Sequence, residues 1–87
     1  MNNFDTQKFV NLDKLRKAEV RDVLETAYVA LKEKGYNPYS QIVGYILSGD
    51  PTYITGHMDA RQMISRVDRD ELLEEIIAFY IRSGGKE

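Results

Sequence analysis

The chain holds one histidine, His57, with Asp59 two residues on, where a carboxylate can orient an imidazole. That is part of a proton-transfer pair, and the reacting partner is missing. There is no cysteine, and Ser40, Ser48, Ser65 and Ser83 lack the glycine-flanked turn that presents a nucleophile. Gly44 and Gly49 are followed by no Lys-Ser or Lys-Thr, which excludes a phosphate-cradling loop. Asp68, Asp70, Glu71, Glu74 and Glu75 crowd one short stretch. Carboxylates at the start of a helix complement its dipole, so they read as a solvated helix start rather than a metal site. With a single histidine there is no His-rich metal site either, and no cofactor is implied. Enzyme chemistry is therefore not expected.

Two features point to recognition instead. Arg61, Arg66 and Arg69 lie five and three residues apart, too irregular for one helical face, but a bend near residues 67–68 would gather them. Their ordinary use is ion pairing with Asp59, Asp68 or Asp70; the other use is an anionic partner surface or a phosphate dock. His57, Arg61 and Arg66 are the candidate partner-binding residues. Thr6 is the one hydroxyl of the N-terminal stretch. A phosphate there would add a charge of about −1.5 to −2 and strong acceptor oxygens, so Thr6 is the candidate phosphorylation site.

The elements that must position these residues are helical. At 87 residues the chain is one small domain. Chains of this size bury only about 60–65% of their unfolded surface, and association is a common remedy. Residues 1–13 follow no period and read as a flexible arm that anchors through Phe4 or Phe9. Residues 14–83 form a single helical domain, and residues 84–87 a frayed tail. Over residues 15–34, Val20, Val23, Leu24, Ala27, Tyr28 and Leu31 recur at spacings of three and four. Asp13 could cap an early turn, or the helix could begin near Ala18. Gly35 stops this helix and Asn37-Pro38 starts the next, which Gly49 ends. This second helix is so apolar that it is expected to be buried on most sides. Gly44 inside it is expected to admit the backbone of another helix. Asp50-Pro51 opens a third short turn. A fourth helix spans residues 58–67, burying Ala60, Met63, Ile64 and Val67. A fifth spans 68–81, with Asp68 and Glu71 spaced as a capping box. No strand is evident.

The fold class is therefore all-α: a compact bundle of four to five short helices with a flexible N-terminal arm. The last helix carries Leu72, Leu73, Ile76, Ile77, Tyr80 and Ile81, a wider apolar face than a small monomer needs, so a homodimer is expected. The formal net charge is −2, which argues against nonspecific binding to nucleic acid or acidic membranes. A small helical nucleic-acid-binding regulator stays as the alternative, although Asp70 and Glu71 beside Arg69 would repel DNA. No apolar run approaches the ~20 residues of a membrane span. The N-terminus lacks a basic region followed by an apolar stretch. The expected compartment is the cytoplasm.

Residues 35–54 read Gly-Tyr-Asn-Pro-x-x-Gln-Ile-Val-Gly-Tyr-Ile-Leu-Ser-Gly-Asp-Pro-x-Tyr-Ile. This run resembles the signature of the IreB family, and the likeness continues through His57-x-Asp59-Ala60-Arg61 and Arg69-Asp70-Glu71-Leu72. The resemblance implies a small, all-helical, dimeric cytoplasmic protein of Gram-positive bacteria that is a regulator and not an enzyme. It implies a substrate of the membrane Ser/Thr kinase with extracellular PASTA repeats, acting through a protein partner in control of cell-wall synthesis and cephalosporin resistance. The arm Phe4-Asp5-Thr6-Gln7-Lys8-Phe9 is similar to the family's phosphoacceptor segment, which implies Thr6 as the acceptor. A second arm threonine, present in some members, is absent. Where the family tends to read Pro-Arg-His-Lys-Asp-Ala-Arg, this chain has Thr55-Gly56-His57-Met58-Asp59-Ala60-Arg61, with two basic residues fewer.

Overall fold

Helix α1 (Leu12–Glu33) is the axis of the computed structural model, which describes residues 12–85. The arm with Thr6, Phe4 and Phe9, and the last two residues of the tail, lie outside the described residues. The helix starts earlier than the apolar period alone suggests. Asp13 lies in its first turn and pairs with Lys17 at 3.3 Å, a spacing that suits both the helix surface and the dipole. Its inner stripe is Val20, Val23, Ala27, Ala30 and Leu31, all buried. Ala30 joins the expected set, while Leu24 and Tyr28 are only half-buried.

Gly35 takes φ +86° just after this helix, and Tyr36 N–H returns to Leu31 O at 3.0 Å. Helix α2 (Pro38–Ser48) then begins as its sequence dictates. Asn37 Oδ1 accepts from Tyr39 N and Ser40 N, and Pro38 occupies the first turn. A 3₁₀ turn (Pro51–Tyr53) follows, capped by Asp50. A second 3₁₀ turn (His57–Asp59) leads into helix α3 (Ala60–Ser65), and helix α4 (Arg69–Arg82) completes the domain. No strand occurs among the described residues. The core gathers Tyr45, Ile54, Ala60, Ile64, Val67 and Leu72 onto the inner stripe of α1. Each such side chain contributes roughly 1.5–3 kcal/mol when fully buried.

Several expectations are corrected. Helix α3 spans Ala60–Ser65; it starts later than expected because Met58 and Asp59 both sit at φ 59°, in the left-handed region that interrupts a right-handed helix. The surface approaching Gly44 is the ring of Tyr53, not a helix backbone: a Cβ at position 44 would lie 2.5 Å from Tyr53 Cε1. Helix α2 is not buried on most sides. Only Pro38 and Tyr45 are buried, while Val43 and Leu47 are 54% and 79% exposed. The capping box of α4 forms only in part. Asp68 makes no side-chain cap; Glu71 keeps its backbone contact with Asp68, but its main partner is Arg16, whose Nη2 and Nε donate to its two oxygens at 2.8 and 3.1 Å. A charged bidentate partner outcompetes a single backbone N–H.

Candidate functional site

Helix α4 packs on α1 with its charged side. At 100° per residue, the side turned toward α1 carries Glu71, Leu72, Glu75 and Ala78, of which Leu72 and Glu75 are buried. Arg16 meets Glu71, and Arg21 Nε meets Glu75 Oε2 at 3.0 Å. Leu73, Ile76, Ile77, Tyr80 and Ile81, the wide apolar face for which a partner copy is expected, lie on the opposite arc and are 38–67% exposed. The residues are as apolar as the sequence suggests; it is the helix's orientation that leaves them uncovered.

This outward arc continues into a groove of about 730 Å³ between α1, α2 and α4. Its walls are apolar: Leu24 and Val29 of α1, Ile42, Val43 and Leu47 of α2, Leu73 and Ile76 of α4. Helix α2 carries no charged side chain at all. Fourteen large apolar or aromatic side chains are exposed among the described residues; three are on α2 and six on α4, so the excess is concentrated on this one face. A contiguous patch of that kind marks an interaction surface.

One end of the groove has a polar edge. The rings of Tyr28 and Tyr39 stand 5.6 Å apart, and Lys32 Nζ lies 5.8 Å from the centre of the Tyr28 ring. Hydrogen bonding to Tyr39, with the Lys32 charge nearby, holds the Tyr28 hydroxyl below the usual phenol range; the same hydrogen bond pushes Tyr39 up. This pair places two phenol rings at the edge of an otherwise greasy cleft.

Comparison with known proteins follows the same chain end to end. The family model described as IreB regulatory phosphoprotein matches residues 5–82. The chain belongs to the IreB family. A UPF0297 protein of Acetivibrio thermocellus is 59% identical over 88 residues, covering 100% of this chain and 97% of the relative. A UPF0297 protein of Lachnoclostridium phytofermentans is 51% identical over 81 residues, covering 93% and 92%. The IreB match takes in all four helices and reaches back across Thr6, which lies outside the described residues.

The other candidate residues of this IreB chain lie around the strained pair Met58-Asp59. His57 Nε2 is 2.8 Å from Glu33 Oε1 at the end of α1, so its partner is Glu33 rather than Asp59. Arg61 Nε donates to Ile54 O at 2.7 Å. These two contacts hold the linker from both ends, which offsets two left-handed residues. Arg66 sits exposed at the end of α3, its side chain without a hydrogen bond or ion pair among the described residues. Arg69 Nη1 donates to Ile46 O at 2.9 Å, closing the last turn of α2, and its guanidinium lies where a Cβ on Gly49 would be. None of the three arginines forms the expected pair with Asp59, Asp68 or Asp70 among the described residues. Two of them donate to backbone carbonyls that need a donor instead. No helix is long and apolar enough to cross a membrane, and no group of three or more His, Asp or Glu is placed to hold a metal, both among the described residues.

The sequence reading missed the groove because it arises between helices. Its residues looked like core at helical spacing. The only sign was the excess of apolar positions on α4.

Two carboxyls tie this scaffold to pH. Hydrogen bonds from Arg16 hold Glu71 below the usual carboxylate range, and the hydroxyl and amide of Thr52 do the same for Asp50. A depressed folded value means that stability is present in full above the unfolded value of about 4 and is lost as pH falls through the folded one. The urea midpoint is therefore expected to drop below about pH 4. Glu71→Gln combined with Asp50→Asn should flatten that drop; an equally steep fall in the double variant would remove these groups as its source.

Proposed function

We propose that this chain is a kinase-controlled regulator that works by protein–protein contact. Thr6 receives phosphate from a Ser/Thr kinase of the PASTA-repeat type on the cytoplasmic side, and the modified arm changes how the helical domain engages its protein partner. The pathway is control of cell-wall synthesis and cephalosporin resistance. Support comes from membership of a family described as regulatory phosphoproteins, matched from residue 5 onward, and from Thr6 as the one hydroxyl ahead of α1. A phosphate within reach of Arg61 or Arg66 would find a guanidinium suited to it. His57 belongs to the same surface.

The observation that carries the contact reading is the apolar face of α2 and α4. It combines the groove with the exposed side chains of Ile77, Tyr80 and Ile81, so one molecule offers both a cleft and apolar side chains that could enter one. A second copy is its occupant. A two-fold pairing buries both parts at once without leaving an open, growing edge, and it adds buried apolar area to the small core of a 10.0 kDa domain.

The test is intact-mass measurement after incubation with the kinase domain from the same genome. Wild type should gain one phosphate and Thr6→Ala none. Phosphate on both, or on neither, would reject Thr6 as the acceptor. Light scattering at micromolar concentration tests the dimer; a monomer would defeat it.

A further inference from the structure

We propose that buried Glu75 is a positioning residue that turns α4 outward and so presents the contact face; this rests on the second copy occupying that face. Glu75 is the one buried charged residue among those described, with 4% of its surface exposed. Arg21 Nε lies 3.0 Å from its Oε2, and Arg82 Nη2 lies 3.4 Å from the same oxygen. Arg21 comes from α1 and Arg82 from the last turn of α4, so the carboxylate ties the two helices together along the distal half of α4.

A buried ion pair is seldom there for stability. Well-packed apolar residues in its place are often neutral or stabilising, and conformational specificity is its better-attested use. Helix α4 shows what is being specified. With 100° between residues, Leu72, Leu73, Ile76, Ile77, Tyr80 and Ile81 fall on one arc centred near Tyr80. An amphipathic helix settling on α1 by apolar burial alone would point that arc inward. The observed helix is rolled nearly half a turn away from it, keeping Leu72, at the arc's edge, in the core and directing Glu71, Glu75 and Ala78 at α1. Leu73 and Ile76 thereby become a groove wall. Leu72 in the core and the Arg69 contact with Ile46 O anchor the start of α4; along its distal half, the charge contacts of Glu75 with Arg21 and Arg82 favour this roll over the greasy one.

Glu75→Leu removes the tie. Arg21 and Arg82 are about half exposed and rehydrate freely. Helix α4 then rolls inward, closes its apolar arc on α1 and withdraws the groove wall. Three readings test this. Glu75→Leu should remain helical with an unchanged or higher melting temperature, while its dimerisation weakens at least about tenfold in sedimentation equilibrium. Glu75→Gln, which keeps an acceptor for Arg21, should retain most of the affinity. The chain has no cysteine, so Ile76→Cys provides a single thiol whose labelling reports the roll. At nanomolar concentration that thiol should react at least about tenfold more slowly when Glu75→Leu is added.

Equal labelling rates overturn the proposal. So does a Glu75→Leu chain that fails to fold, or one that dimerises like wild type, since the roll demands a stable monomer. Labelling is read on monomers, so it separates the two ideas. Protection by Glu75→Leu in a chain whose wild type never dimerises supports the tie and defeats only the dimer reading.

Discussion

Val43→Asp is expected to leave the helical fold intact and weaken self-association by at least about 100-fold. Val43 lies on the groove and is 54% exposed in the single chain, so a carboxylate there stays hydrated in the monomer. In the dimer it would be sealed against apolar side chains. No charged group on α2 could neutralise it, and Glu25 at the groove edge adds a like charge. An unpaired carboxylate removed from water costs several kcal/mol, and a two-fold contact contains the substitution twice. Val43→Ala, which only shortens the side chain, should lose about tenfold or less. Circular dichroism checks the fold, and sedimentation equilibrium the affinity. A Val43→Asp chain that dimerises as tightly as wild type would place the contact elsewhere.

Gly44→Leu carries the largest expected loss of stability. A Cβ at position 44 would stand 2.5 Å from Tyr53 Cε1, so the tyrosine ring must leave its seat on α2. The turn that carries Tyr53 cannot simply follow, because Gln41 Nε2 holds Tyr53 O at 3.0 Å. Ile54, the next residue, is fully buried in the core. Overpacking of this kind costs about 1–3 kcal/mol, which in a domain of this size lowers the melting temperature by roughly 4–24 °C. Gly44→Ala meets the same ring but gains up to about 1 kcal/mol of helix propensity, so its net loss is smaller. Combining Gly44→Leu with Tyr53→Ala should cost less than the sum of the two, because the clash is shared. A Gly44→Leu variant with the wild-type melting temperature would remove the close approach as the reason for this glycine.

Local chemistry made the fold legible. Gly35, Asn37, Pro38 and Gly49 mark helix ends through contacts no more than a few residues long, so their positions in the chain suffice. The inner stripe of α1 was readable for the same reason: Val20, Val23, Ala27 and Leu31 follow the helical period. The capping box is incomplete where a distant group intervenes. Arg16 takes Glu71 across 55 residues of sequence, and no spacing rule contains that competition. The arginines teach the same lesson, since the carbonyls of Ile54 and Ile46 that Arg61 and Arg69 reach become neighbours only in the folded chain.

By itself, the sequence determined the helices, the ends marked by glycine, asparagine and proline, most of the core and the kinship with a regulatory family, because each depends on nearby residues or on a motif. It also revealed a surplus of apolar side chains on the last helix. Only the tertiary structure decided where that surplus points. A helix can roll about its axis without changing a single local hydrogen bond, so its orientation is set by the partners it meets. Here Arg16 and Arg21 of α1 hold the charged side of α4 inward, and the apolar side is left exposed.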